Sequence, residues 1–360
     1  MKIAITADVH VGVPGRLAHI MWCLAAIREK CTQQGIKHIM ILGDLFHDRE
    51  SLRVEDLNSL VSFLAETDEK YGIKVISFPG NHDLYLKNSW AINSLKPLAR
   101  YITSYHEVTA MELGGVRFWV VPFIHYESEY IKEIAKVNKQ HRKGDVLLTH
   151  IGVKSATLNM CFLLKSWSVV DFSDSPFDRI YSGHFHVHQQ VGNNLWYPGS
   201  PMAFKFDEGD ADHGFLVFDT ETRQHKFIDL WEGEENPPPQ YRTIDDSRLR
   251  NLRVGDIRGN IIRIALSRDY THNQLSIIRR SLLQKYGAKD VRWMNLASKE
   301  DKEAVQAAKT TSAASAAELF ARFLKADKEG AAGLRAEVLV KLNTEIVADG
   351  DRRYTEQFIE

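Results

Sequence analysis

IKHIMILGDLFH, residues 36–47, is the stretch on which the fold reading turns. Ile36 to Leu42 is nearly continuous apolar sequence, the pattern of a strand buried on both faces, and it halts at Gly43 with Asp44 and His47 close behind. A strand that ends in glycine and a carboxylate sets that carboxylate at the sheet edge where α/β folds carry their ligand-binding loops. The same arrangement recurs on both sides. Ile3–Thr6 leads into Asp8-Val9-His10, and Ile73–Phe78 leads into Pro79-Gly80-Asn81-His82-Asp83. Val146–Leu148 leads into Thr149-His150, and Arg179–Tyr181 leads into Gly183-His184-Phe185-His186. Helical spacing over Leu17–Thr32, and again at Leu57, Leu60, Val61 and Leu64, separates the first strands. Further strands are expected at Arg117–Val121, Gly214–Phe218 and Lys226–Leu230, so the class is layered α/β.

The residues after these strands define a chemistry. Asp8, Asp44 and Asn81 with His10, His150, His184 and His186 make a mixed oxygen and nitrogen set, suited to manganese, iron or zinc and not to calcium. Seven donors exceed the needs of one ion. With Asp44 as the natural bridge they serve two ions roughly 3.5–4 Å apart, the arrangement that clamps both oxygens of an in-line displacement at phosphorus. Coordination brings the pKa of water toward neutrality, so no protein nucleophile is needed. The glycines before Asp44, Asn81 and His184 let the loops turn sharply beside crowded donors. A lone Asp-x-His or Gly-Asp means little, and a lone histidine is usually a satisfied core or surface residue. The order and the strand context lift the set above chance. Lys139, His141, Arg142 and Lys143 could touch phosphates, but a solvated loop is the commoner explanation. His188 reads as a surface residue and is not counted among the donors.

The rest of the chain sets bounds. Its 360 residues predict two or three domains, and 44% hydrophobic with 26% charged residues is ordinary globular composition. Lysine plus arginine number 46 against 47 acidic residues, so a nucleic-acid partner must be argued from the site and not from bulk charge. Cys23, Cys31 and Cys161, without any Cys-x-x-Cys, argue against a disulfide framework or a structural zinc cluster and fit a reducing cytoplasm. No apolar h-region precedes Asp8 and no stretch is apolar for long enough to cross a bilayer, so a soluble, cytoplasmic protein is expected. EGEENPPPQ, residues 232–240, combines acid with three prolines and reads as a stiff linker. The expected organisation is a first domain over 1–231, a linker over 232–241 and a small α/β domain over 242–300. The small domain has strands at Asn260–Ser267 and Val291–Met294 and a helix over Gln274–Tyr286. Residues 301–360 hold an Ala, Ser and Thr-rich stretch, then two short amphipathic helices from Leu319 to Ile346.

Asp-x-His, Gly-Asp, Gly-Asn-His-Asp, a later histidine and Gly-His-x-His, in this order, resemble the calcineurin-like metallophosphoesterase superfamily over about residues 1–230. Within it, GDLFH (43–47), GHFH (183–186) followed by YPGSP (197–201), and FDEGDADHGFLVFD (206–219) resemble the SbcD-type recombination nucleases of bacteria and phages. The resemblance implies a β-sandwich flanked by helices, a small α/β capping domain, and a C-terminal helical segment that binds an SMC-like ATPase of SbcC type. It implies 3′–5′ exonuclease and endonuclease activity on DNA, two divalent ions of which manganese is the expected kind, and room for a homodimer, with no membrane. One ion would be held by Asp8, His10, Asp44 and His186, the other by Asp44, Asn81, His150 and His184. His82 would be a non-ligand that stabilises the phosphorane or protonates the leaving oxygen, with Asp83 orienting its ring and His47 in support. Two rivals share the sequence: a phosphoesterase of small molecules or phosphoproteins using the same ions, and a non-catalytic scaffold, which a missing ligand would favour.

Overall fold

The computed structural model describes residues 1–153, 156, 172–209, 211–234 and 237–296. The 301–360 segment, with its expected helices and ATPase-binding role, lies outside the described residues, as does Cys161. The strands in chain order are β1 (Lys2–Thr6), β2 (His38–Ile41), β3 (Lys74–Ser77), β4 (Ile102–Ser104), β5 (Thr109–Leu113), β6 (Val116–Val121), β7 (Val146–His150) and β8 (Arg179–Gly183). They continue as β9 (Gln189–Val191), β10 (Leu195–Tyr197), β11 (Gly214–Asp219), β12 (His225–Asp229), β13 (Tyr241–Asp245), β14 (Ile261–Leu266) and β15 (Asp290–Asn295). The helices are α1 (Leu17–Gln33), α2 (Val54–Glu69), α3 (Glu127–Gln140), α4 (Val254–Ile257) and α5 (His272–Gln284).

Two six-stranded sheets form the body, ordered β12-β11-β1-β2-β3-β4 and β5-β6-β7-β8-β10-β9. Strands β1 to β4 run parallel in the first sheet, and β6, β7, β8 and β10 run parallel in the second. Parallel order sends the carboxyl ends of neighbouring strands to the same edge, which is why five sequence-distant loops can meet. Ile3, Ile5, Met40, Leu42 and Ile76 of the first sheet pack on Phe118, Val120, Leu148 and Tyr181 of the second. On the outer face of the first sheet, Ala4, Ile39, Ile41 and Val75 cover Ile20, Cys23, Leu24 and Ile27 of α1 and Leu60, Phe63 and Leu64 of α2. On the outer face of the second, Trp119, Val121, Leu147 and Ile180 cover Tyr130, Ile134 and Val137 of α3. At about 1.5–3 kcal/mol for each large apolar side chain, burial on both faces of both sheets is the main stabilising contribution. This is the expected β-sandwich flanked by helices.

The structure adds to expectation the helix α3, the short α4 and the strands β4, β5, β9, β10 and β13. Helix α3 was not foreseen; its core-facing stripe is only Tyr130, Ile134 and Val137, and Lys139 sits in its last turn instead of in a loop. The strand β13 begins at Tyr241, where the expected linker ends, and pairs in parallel with β14 in a three-stranded sheet β13-β14-β15. Thr271 caps α5 reciprocally with Gln274, a capping box. By its contacts the chain divides into two units, one of them Met1–Ala265 with Asp269–Met294.

Candidate metal centre

The backbone at the carboxyl edge of β1, β2 and β8 is held in conformations that side chains ordinarily avoid. Asp8, His10, Asp44 and His184 have φ of 53°, 51°, 53° and 96°; among the described residues Arg223 alone shares this left-handed region without being glycine. Each costs on the order of 1–3 kcal/mol and persists only where the surroundings enforce it. Here the loops brace one another. The Asp8 amide donates to the Gly43 carbonyl (3.2 Å), His10 to Asp44 (3.0 Å) and Val11 to Leu45 (2.8 Å). A Cβ on Gly80 would lie 2.2 Å from Asp44 Oδ1, and one on Gly183 would lie 2.2 Å from the Leu42 carbonyl oxygen, so both positions exclude any side chain.

The side chains these loops carry converge. His10 Nε2 and His186 Nε2 stand 3.0 Å apart, and the donor atoms of Asp8, His10 and His186 lie within 4.8 Å of one another. The donor atoms of Asp8, Asp44 and His150 form a second such group. His150 Nε2 is 3.3 Å from Asp44 Oδ2 and 3.1 Å from Asn81 Oδ1, which His184 Nδ1 also approaches at 3.0 Å. All seven residues singled out as ligands therefore meet at one edge. His10, His47 and His82 make a third group within the same distance, His47 and His82 being stacked with centroids 5.7 Å apart. The His82 amide donates to Asp44 Oδ1 (2.8 Å), while its ring Nδ1 pairs with the His47 carbonyl (2.6 Å) and leaves Nε2 available.

Asp83 requires a correction. Its carboxylate does not orient the His82 ring, a task the His47 carbonyl performs. Fully buried, it accepts instead from the amides of Leu45 (3.3 Å), Phe46 (3.2 Å) and Gly80 (3.0 Å) and from Ser94 Oγ (3.0 Å), tying the β2 and β3 loops together.

Sequence reading also missed Glu208. Its carboxylate, 2% exposed, accepts from His186 Nδ1 at 3.0 Å and from the Phe204 amide at 2.8 Å. This fixes the tautomer of His186 and turns Nε2 toward the other donors, as carboxylates behind metal-binding imidazoles do. The only signal was one acid among several in FDEGDADH; its neighbour Asp207 faces outward to Arg263.

Electrostatics fit a cationic occupant. Burial raises Asp8 to about 6, although His150 and His186 oppose it. Asp44 is held well below the carboxylate range, because His150 and His82 outweigh its burial. Burial would lower His150, but the Asp44 and Asp8 carboxylates outweigh it and bring the ring to about 9. Burial and His150 push His184 down to about 3, and burial with His186 keeps His10 neutral. His186 forces Glu208 down to about 2 against its burial. His10 Nδ1 is buried with no hydrogen-bond partner among the described residues. A neutral His10 ring whose Nε2 lies 3.0 Å from His186 Nε2, beside an ionised Asp44, matches what divalent ions would bind.

Comparison with known proteins bears on this geometry. Residues 1–188, more than half the chain, match the family model described as calcineurin-like phosphoesterase. The chain belongs to this family. It is thus a hydrolase of phosphate esters, and calcineurin-like phosphoesterases bind two divalent ions. As one of them, it is 28% identical over 242 residues to exonuclease subunit 1 of Enterobacteria phage T4, covering 63% of this chain and 67% of that one. It is 24% identical over 254 residues to the SbcD component of the nuclease SbcCD of Staphylococcus epidermidis, covering 62% and 67%. A putative phosphoesterase of Invertebrate iridescent virus 3 is 22% identical over 242 residues, covering 64% and 66%. Among the described residues of this calcineurin-like phosphoesterase, no helix is long and apolar enough to cross a membrane.

Proposed function

We propose that this calcineurin-like phosphoesterase is a manganese-dependent DNA nuclease, exonucleolytic from 3′ ends and endonucleolytic, and the nuclease subunit of a double-strand-break-processing complex with an SMC-like ATPase of SbcC type. The observation that carries the hydrolytic part is the convergence of Asp8, His10, Asp44, Asn81, His150, His184 and His186 at one sheet edge. The nuclease part is supported by the relatives named as exonuclease and nuclease subunits. The cytoplasm, where thiols such as those of buried Cys23 and Cys31 stay reduced, is the expected site of action.

Asp8, His10, Asp44 and His186 would hold one ion, and Asp44, Asn81, His150 and His184 the other. When bound, such a pair supplies Lewis acidity at the phosphoryl group and water activated near neutral pH. The protein's own part falls chiefly to His82. Its Nδ1–H is committed to the His47 carbonyl, so Nε2 is the atom that meets substrate, either donating to the crowded phosphoryl oxygens or giving a proton to the departing sugar oxygen. Stacked His47 holds that ring in place, and Asp83 holds the two loops that present Asp44 and Asn81.

The test uses purified wild type and His82→Ala with manganese, end-labelled linear duplex DNA and a generic phosphomonoester. The expected result is DNA degradation by wild type only, with two ions retained by the variant. Cleavage of the monoester alone would move the substrate to small molecules or phosphoproteins, and loss of metal in the variant would make His82 a ligand.

A further inference from the structure

A groove of about 750 Å³ opens beside the metal centre, between the 87–90 loop and α3. Phe123 is its inner wall: the ring lies 6.2 Å from that of His150 and stacks 6.4 Å from that of His184. Trp90 lines the groove beside it and is fixed by an Nε1–H bond of 2.8 Å to the Phe123 carbonyl. Farther along, Lys132, Lys136 and Lys139 line the same side, spaced i, i+4 and i+7, so one face of α3 carries them while Tyr130, Ile134 and Val137 face the core. Lys87 lines the groove as well, and four lysines oppose two glutamates, Glu129 and Glu133, the latter paired with Lys136 at 2.5 Å. His125, also in the lining, has its Nδ1 shielded from water without a hydrogen-bond partner among the described residues.

We infer that this groove is the track of a single nucleic-acid strand running to the metal centre, with the lysines of α3 on its phosphates and Trp90 and Phe123 against its bases. The inference rests on the nuclease reading given above. Aromatic walls followed by a lysine-lined channel are the features by which proteins hold unpaired strands without reading their sequence. A solvated helix face also carries lysines, but it does not adjoin a ring packed on metal-site histidines. From Lys132 to Lys139 the helix rises about 10 Å, long enough for its lysines to reach more than one phosphate of the same strand.

The test measures binding of a phosphorothioate single strand of about 20 nucleotides, which resists cleavage, to the manganese-loaded full chain by fluorescence anisotropy across a salt series. Lys132→Ala/Lys139→Ala removes two exposed groove charges. A control, Lys2→Ala/Lys74→Ala, removes two at the opposite ends of β1 and β3. The groove pair is expected to weaken binding about tenfold near 0.1 M salt and to flatten the log–log salt slope by about 1.4, or about 0.7 per lost contact. The control pair is expected to change neither, and both variants should melt with wild type. If wild type binds and degrades DNA while the groove pair loses no more than the control, the groove assignment is overturned and the nuclease reading stands. If wild type hydrolyses a small phosphodiester yet neither binds nor degrades DNA, both fall.

Discussion

Metal uptake should expel a proton from His150, and the structure says how steeply. The Nδ1–H of this ring donates to the Leu42 carbonyl at 2.8 Å, and Nε2 faces Asp44 Oδ2 at 3.3 Å and Asn81 Oδ1 at 3.1 Å, so the metal-free ring is surrounded by acceptors on both sides. That setting, with Asp44 and Asp8 overcoming the opposing effect of burial, holds it protonated up to about 9. An ion can take Nε2 only after the proton leaves, so apparent affinity should rise about tenfold for each pH unit approaching that value. Between pH 6.5 and 8.5 this amounts to about 100-fold, or roughly 2.7 kcal/mol at about 1.36 kcal/mol per unit. His186 is also raised, since Glu208 outweighs its burial, and can steepen the slope further. Calorimetry of manganese binding in two buffers of different ionisation enthalpy counts the protons directly, with at least about one released at pH 7.5. The amide of His150→Gln cannot titrate, and its slope should be shallower by one. A flat affinity over this range, or no proton release, would refute the reasoning and mean that His150 is already neutral before metal arrives.

Three further outcomes are expected. Glu208→Gln should weaken manganese binding by about 10–100-fold with little change in Tm, because it loosens His186 without removing a ligand; unaltered affinity would deny Glu208 an orienting role. Gly80→Ala places a methyl group 2.2 Å from Asp44 Oδ1 and should displace that carboxylate, so at least one of the two ions should be lost in elemental analysis. Asp145, 4% exposed, accepts from Arg117 Nε at 3.0 Å, from Trp119 Nε1 at 3.0 Å and from the Arg142 amide at 2.9 Å. Breaking such a pair by Asp145→Ala should cost about 3 kcal/mol. That corresponds to a fall in Tm of roughly 6–10 °C by calorimetry. Burial raises the Asp145 pKa but Arg117 outweighs it, so this stabilisation is present at neutral pH and disappears only as pH falls below the ordinary carboxylate value of 3.8.

The strands that carry the site were legible because parallel strands buried on both faces spell apolar runs, and because a polar donor ends each run at the same point, with glycine just before it at Asp44, Asn81 and His184. Helix α3 was not, since charged residues dominate it and three apolar positions spaced by four and three are too thin a stripe to stand out. Short edge strands such as β4 and β9, three residues each and partly exposed, carry no periodicity. Glu208 escaped because it meets His186 only through the fold, across 22 positions of sequence. Asp83 misled for the opposite reason: adjacency in the chain suggested a partnership with the His82 ring, whereas its carboxylate turns to the loop amides.

The hydrogen bond from His150 to Leu42 joins the last residue of a second-sheet strand to the residue just past a first-sheet strand. One jaw of a caliper is thus fixed to each sheet, and the donors of Asp8 and Asp44 are separated from those of His150 and His184 by whatever spacing the interior dictates. Phe118, Leu148 and Tyr181, buried between the sheets, set that spacing as surely as the ligands do. A larger or smaller residue among them is expected to shift the jaws, and with them the distance between the two halves of the donor set.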